Sequence, residues 1–341
     1  MNIKDIKEAS FYRKLKDMVV QCMLCPRYCI ISNGKRGKCG VRENKNGKLY
    51  SLVYARPCSI NLDPIEKKPF YHFMPGKYSL SIATVGCNLH CKHCQNWEIS
   101  QAKPEDLSYT FISPKKVVDK AKEANADIIS YTYTEPTVFY EYMIDIAKIA
   151  KKNNIKNTIV SNGFINPEPL KKLCRYIDGA NIDLKSISDR FYREICDARL
   201  KPVLESLKIL KENKIWIEIT NLVIPTLNDS MRELKKLVLW IKENLGKDVP
   251  LHFTAFYPTY KLSHLPFTSV EVLKKARQLA LKEGMLYVYT GNIRYAEGSS
   301  TYCHKCGKVI ISRDSYFNII ENNIVSGKCK FCKSEIAGVW I

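Results

Sequence analysis

The chain has 341 residues, 45% of them apolar, with 54 basic against 34 acidic side chains and a formal charge of +20. That composition supports a substantial core and excludes a disordered chain, and no run approaches the ~20 consecutive apolar residues that span a bilayer. The N-terminus, MNIKDIKEASFYRKL, is amphipathic without the apolar stretch of a secretory signal, so a cytoplasmic location with no membrane partner is expected. The positive charge fits either a nucleic-acid or acidic partner, or helix faces solvated by lysines such as Lys115, Lys116, Lys120 and Lys122. Fourteen cysteines in such a chain point to metal rather than disulfides. Eleven fall into three sets, leaving Cys58, Cys174 and Cys196 as singles.

In chain order, residues 1–75 form a segment rich in Cys, Gly, Pro and Lys. Its Cys22, Cys25, Cys29 and Cys39 follow C-x2-C-x3-C-x9-C. They are read as a zinc knuckle, an auxiliary iron–sulfur site, or unmetallated thiols lining a substrate entrance. Residues 76–297 alternate apolar strand-like runs with amphipathic helices. Strands are expected at Leu80–Val85, Asp127–Tyr133, Asn157–Ser161, Gly179–Asp183, Trp216–Val223, Leu251–Phe256 and Tyr287–Tyr289.

Helix signals lie between them. Ser113-Pro114 reads as an N-cap followed by proline at the first helical position. A helix from Asp229 places Leu234, Leu237, Val238, Ile241 and Leu245 on one face and stops at Gly246. Thr268-Ser-Val-Glu271 reads as a capping box. Six such units predict an α/β fold of the partial (βα)6 TIM-type barrel kind, although a doubly wound sheet has the same local pattern. Residues 298–341 hold Cys303, Cys306, Cys329 and Cys332 as C-x2-C-x22-C-x2-C. This is the spacing of a zinc ribbon, its two knuckles joined by a β-hairpin, with a rubredoxin-like iron site as the competing reading.

The densest chemical signal is Cys87-Asn-Leu-His-Cys91-Lys-His-Cys94, immediately after the first strand of the repeating unit. Three thiolates at C-x3-C-x2-C can ligate three irons of a 4Fe–4S cube and leave the fourth open to a small molecule, whereas most such cubes are closed by four cysteines. The bland alternative is three ligands of a zinc knuckle. Sites on parallel sheets gather at the carboxyl ends of strands, and polar groups recur there: Glu135 after the second strand, Asn162 after the third, Asp183 and Lys185 at the fourth. Glu135 also reads as a charge at a helix start ahead of Pro136, and Asn162-Gly163 as an ordinary turn.

With these motifs the chain resembles the radical S-adenosylmethionine (SAM) superfamily. Cys22-Met-Leu-Cys25-Pro, Asp63-Pro-Ile-Glu-Lys-Lys-Pro-Phe-Tyr-His72, Tyr131-Thr-Tyr-Thr-Glu-Pro136 and Tyr289-Thr-Gly-Asn292 are similar to the AmmeMemoRadiSam system enzymes, relatives of pyruvate formate-lyase activating enzymes. The resemblance implies that Cys87, Cys91 and Cys94 hold a 4Fe–4S cluster, that His93 helps seat the adenine of SAM, and that Glu135 receives its ammonium. It further implies that Asn162, Asp183 and Lys185 hold the rest of SAM. Tyr133 and Thr134 stand where relatives have two glycines, and His252 is the one histidine near the position that activating enzymes use late in the barrel.

The implied activity is reductive cleavage of SAM to a 5′-deoxyadenosyl radical that abstracts hydrogen from a substrate. It calls for a flavodoxin- or ferredoxin-like one-electron donor and for a protein substrate or operon partner. Alternatives are activation of a glycyl-radical enzyme, modification of RNA and a non-enzymatic zinc scaffold.

Overall fold

The computed structural model describes residues 6–314 and 318–340, so the first five residues of the amphipathic N-terminus lie outside it. Its centre is one eight-stranded sheet. In chain order the strands are β1 (Ser59–Pro64), β2 (Tyr78–Ala83), β3 (Ile128–Tyr131), β4 (Lys156–Ser161), β5 (Gly179–Asp183), β6 (Trp216–Val223), β7 (Leu251–Ala255) and β8 (Val288–Gly291). β1 runs antiparallel to β2, and β2 to β8 are all parallel. Every strand pairs with its neighbours in sequence. A doubly wound sheet would reverse its order at a switch point; this one never does. The arrangement is the open, partial barrel of six βα units plus a closing parallel strand.

The seven parallel strands match the expected positions to within a few residues. β3 stops earlier than expected because Tyr133 takes a left-handed φ of 69°, which ends an extended run. β1 belongs to the sheet although its sequence lies in the cysteine-rich first segment. It covers the exposed edge of β2, as an antiparallel neighbour on a parallel sheet commonly does.

Helices behave as their caps predict. Ser113 accepts from the Lys116 N–H at the start of the helix Pro114–Glu123. The helix Met231–Asn244 is capped by Ser230, buries Leu234, Leu237, Val238 and Ile241, and is followed by Gly246 at φ 111°. The expected capping box at Thr268 is displaced by one residue. Ser269 caps the helix Val270–Lys282, while the buried Thr268 hydroxyl donates to the Val223 carbonyl and accepts from Phe256 N–H, joining the ends of β6 and β7.

The lower half of the sheet is held by a carboxylate. Glu218 on β6 is fully buried and accepts from the backbone N–H of Tyr71 (2.9 Å) and His72 (2.8 Å) and from Trp216 Nε1 (3.1 Å). His252 Nε2 on β7 lies 2.7 Å from it. Burial opposes its ionisation, but His252 and these donors hold its pKa below the ordinary glutamate value.

His72 continues the network to the C-terminal segment, 2.7 Å from the Ala337 carbonyl and 2.5 Å from the Tyr289 hydroxyl. The buried Arg313 donates to the Tyr71 carbonyl and Thr301 Oγ1. Glu218→Ala would leave the Tyr71, His72 and Trp216 N–H groups without their buried acceptor, so a loss of about 3–5 kcal/mol is expected, read as a lowered urea midpoint at pH 7.

Candidate active site and metal centres

The carboxyl ends of the parallel strands open into a cavity of about 310 Å³ whose wall includes Cys87, Cys91, Cys94, His93, Asn162, Asp183 and Lys185. Seven of the eight central residues singled out from sequence therefore converge. The cysteine loop leaves β2 through Gly86 (φ 95°) and is tied down by the helix Asp189–Cys196. The N–H groups of His90 and Lys92 donate to the Cys196 and Ile195 carbonyls, which a helix end leaves without internal partners. His90 Nδ1 adds a contact to Asp197 at 2.9 Å; it is a loop anchor.

Glu135 is the exception. It is fully buried, does not line the cavity, and its carboxylate is engaged by Thr137 N–H and hydroxyl, the Ser161 hydroxyl and the Asn162 N–H, all within 3.0 Å. It caps the 3-10 turn Pro136–Phe139 and joins the ends of β3 and β4. Burial raises its pKa against those donors.

Asn162 Nδ2 donates to Asn88 Oδ1 (2.9 Å) and approaches Cys87 Sγ (3.8 Å), so it positions the cysteine loop. Asp183 and Lys185, on one side of the strand end as their spacing requires, pair at 2.9 Å. Burial works against the Lys185 charge, yet Asp183 and the Cys91 and Cys196 thiols hold its pKa well above the ordinary lysine value. His93 is buried with neither ring nitrogen hydrogen-bonded among the described residues; burial and then Lys185 push its pKa far down, leaving a neutral ring on the cavity wall.

Sequence reasoning missed two features. The first is a cationic corner: Lys67 and Lys68 each lie 2.7 Å from Asp63, which also accepts from Tyr133 (2.9 Å) and Ser81 (3.0 Å). Both lysines line the cavity. The Asp63–Lys68 motif was visible, but its position over the strand ends was not. Tyr133 thus holds, by its hydroxyl, a backbone conformation that glycine adopts freely. The second is Cys196, whose sulfur gathers with Cys91 and His93 within 4.8 Å. It is fully buried and absent from the cavity wall, so it backs the loop and leaves the open side toward the cavity. His252, paired with Glu218 low in the sheet, is not at the site.

Residues 81–238 match the family model described as the Radical SAM superfamily. The chain belongs to the radical SAM superfamily. It is 46% identical over 333 residues to the uncharacterized protein MJ0808 of Methanocaldococcus jannaschii, covering 97% of this chain and 99% of that one. It is 24% identical to a pyruvate formate-lyase-activating enzyme of Clostridium pasteurianum over 46% of this chain and 66% of the relative. Streptococcus suis SuiB, solved with SAM, shares the fold with a TM-score of 0.51 and 15% identity over 67% of this chain and 53% of SuiB.

Radical SAM enzymes use a 4Fe–4S cluster and SAM, and the residues present fit both: three thiols at one mouth, a protonated lysine beside a half-exposed carboxylate, and an unpartnered neutral imidazole.

The second cysteine centre is compact. Cys303 Sγ lies 3.5 Å from Cys332 Sγ and Cys306 Sγ 3.8 Å from Cys329 Sγ, close to the ~3.8 Å edge of a tetrahedron with 2.3 Å metal–sulfur bonds. The two knuckles are built alike. Gly307 N–H bonds back to the Cys303 carbonyl and Lys333 N–H to that of Cys329, each residue at positive φ. Strands Val309–Arg313 and Ile319–Asn322 form the expected antiparallel hairpin between them. The Ser334 hydroxyl and backbone N–H hold the Cys332 thiol down to about 6, favouring the thiolate a metal needs. The protein should therefore carry one tightly held ion here, and Cys306→Ser with Cys332→Ser should release it, as measured by elemental analysis of the dialysed protein.

Proposed function

We propose that this radical SAM protein cleaves SAM reductively and abstracts a hydrogen atom from a substrate seated at the carboxyl edge of the barrel. The observation that carries the reading is the convergence of Cys87, Cys91 and Cys94 with the Asp183–Lys185 pair on one cavity. The three thiolates would hold a 4Fe–4S cluster with one open corner. When bound, that cluster supplies the single electron that breaks a carbon–sulfur bond of SAM and yields the 5′-deoxyadenosyl radical.

The protein's own residues bind and orient. Lys185, kept protonated by Asp183, offers a cation to the SAM carboxylate. Asp183, half-exposed beside it, accepts from hydroxyl groups. The neutral His93 presents a flat, unpartnered ring to the adenine. Asn162 and Glu135 act one step back: Glu135 fixes the Asn162 backbone, and Asn162 fixes the cysteine loop. Thr254 and Asn292, on and just beyond the last strands of the sheet, line the remaining wall and face the substrate. A one-electron donor of the ferredoxin or flavodoxin class completes the system, and the four C-terminal cysteines hold zinc in a structural role.

Activation of a glycyl-radical enzyme is the second reading, supported by the name of a 26% identical relative, a putative glycyl-radical enzyme activating enzyme of Methanocaldococcus jannaschii; His252, paired with Glu218, takes no part in it.

The triple variant Cys87→Ala, Cys91→Ala, Cys94→Ala should lose about four irons and form no 5′-deoxyadenosine with dithionite and SAM, while Cys196→Ala keeps both. Nucleoside formed by the triple variant would refute the assignment. Lys185→Met should weaken SAM binding about tenfold or more, the loss of one charge-assisted contact, read by equilibrium dialysis. Unchanged affinity would remove Lys185 from the site.

A further inference from the structure

Behind the cysteine loop lies a second, mostly apolar cavity, walled by Cys22, Cys25, Cys29 and Cys39 together with Arg42 and Asn88. Its cysteines come from three backbone pieces. Cys22 ends the strand Val20–Cys22, and its N–H bonds to the Cys29 carbonyl. Cys25 and Cys29 flank a turn in which Tyr28 takes a φ of 47°. Cys39 arrives on the Gly37–Gly40 turn, against which Cys29 rests: Lys38 N–H lies 3.5 Å from Cys29 Sγ.

Three observations point to a ligand. First, the sulfurs are spread. Among the described residues the C-terminal quartet closes to within 4.8 Å, but no three of these four do, and neither do Cys87, Cys91 and Cys94. A single tetrahedral ion draws its thiolates to ~3.8 Å, whereas in a cube each thiolate binds its own iron and the sulfurs stand apart. Second, Arg42 is 2% exposed, and its Nε and Nη1 have no hydrogen-bond partner among the described residues. Its Nη2 alone is used, on Glu141 and the Ser10 carbonyl. A buried guanidinium with idle donors on a thiol-lined cavity calls for an anionic group.

Third, the cavity adjoins the active site. Asn88 lies between Cys87 and Leu89 and walls this cavity too, and Arg27 Nε donates to its carbonyl at 2.9 Å. The Cys39 turn rests on the root of the same loop. A Cβ on Gly86 would sit 2.9 Å from the Cys39 carbonyl and 2.6 Å from Val41 Cγ1, so only glycine permits the contact.

We infer that Cys22, Cys25, Cys29 and Cys39 bind a second 4Fe–4S cluster, all four corners closed by thiolate and the Arg42 guanidinium facing its negative charge. With no open iron it offers no corner to a small ligand; it can gain or lose an electron, and it lies against Asn88 of the cysteine loop.

The test uses full-length triple variant Cys87→Ala, Cys91→Ala, Cys94→Ala, reconstituted anaerobically with iron and sulfide. This protein should retain about four irons and about four sulfides, with absorbance near 400 nm. After dithionite reduction its EPR signal should not change when SAM is added. Adding Cys25→Ser and Cys39→Ser should remove that iron.

Should the triple variant fail to fold, Cys25→Ser with Cys39→Ser in the otherwise native chain gives the same answer. Iron should fall by half while the C-terminal metal stays. Zinc in place of iron, no iron in the triple variant, or an EPR signal that shifts with SAM would each overturn the inference. None of these outcomes depends on SAM cleavage, so the proposed reaction can fail while this site stands, and the reverse.

Discussion

Strictly sequential pairing of seven parallel strands is the constraint on which the rest of this structure depends. Because each crossover returns the chain to the same end of the sheet, every βα loop emerges at one edge. The three thiols after β2, Asn162 after β4 and the Asp183–Lys185 pair at the end of β5 therefore meet without any loop having to travel. The strands themselves are buried on both sides, β3 and β7 along their whole length, as parallel strands are. Polar side chains can reach solvent or ligand only where the strands end.

Two buried carboxylates keep this edge in register with the rest of the chain. Glu218 binds the segment at Tyr71 and His72 to the lower half of the sheet and, through His72, to the C-terminal residues. Glu135 gathers the ends of β3 and β4 beneath the cysteine loop. Each is desolvated, a cost that is offset only because every nearby donor is directed at it. Glu135 is already engaged by four donors, three on Oε1 and one on Oε2. Its contribution passes through Asn162 to the loop.

The cysteine sets illustrate how far spacing alone carries. A C-x2-C pair is a local turn, so the C-terminal knuckles and their hairpin were legible. The Cys87–Cys94 loop was legible for the same reason. Spacing could not separate a single-ion site from a cluster at the N-terminal set, because that depends on how far apart three separate backbone pieces are held. Nor could it reveal Cys196, which is more than a hundred residues from Cys91 and reaches it only through the packing of one helix end against the loop.

By itself the sequence determined the seven parallel strands, the main helices between them and the chemistry at their ends, since hydrophobic period, caps and thiol spacing act over a few residues, but not the short strands of the first segment. It also carried the family, through motifs that are local. Tertiary structure decided what depends on distance between remote segments. It settled that the strands pair in order, that β1 closes the edge of β2, and that Lys67 and Lys68 reach the cavity. It likewise turned Glu135 and His252 inward. The physical reason is desolvation. A charged side chain in a motif looks available until the fold shows which donors surround it, and only burial reveals which groups are spent on structure and which remain free for a ligand.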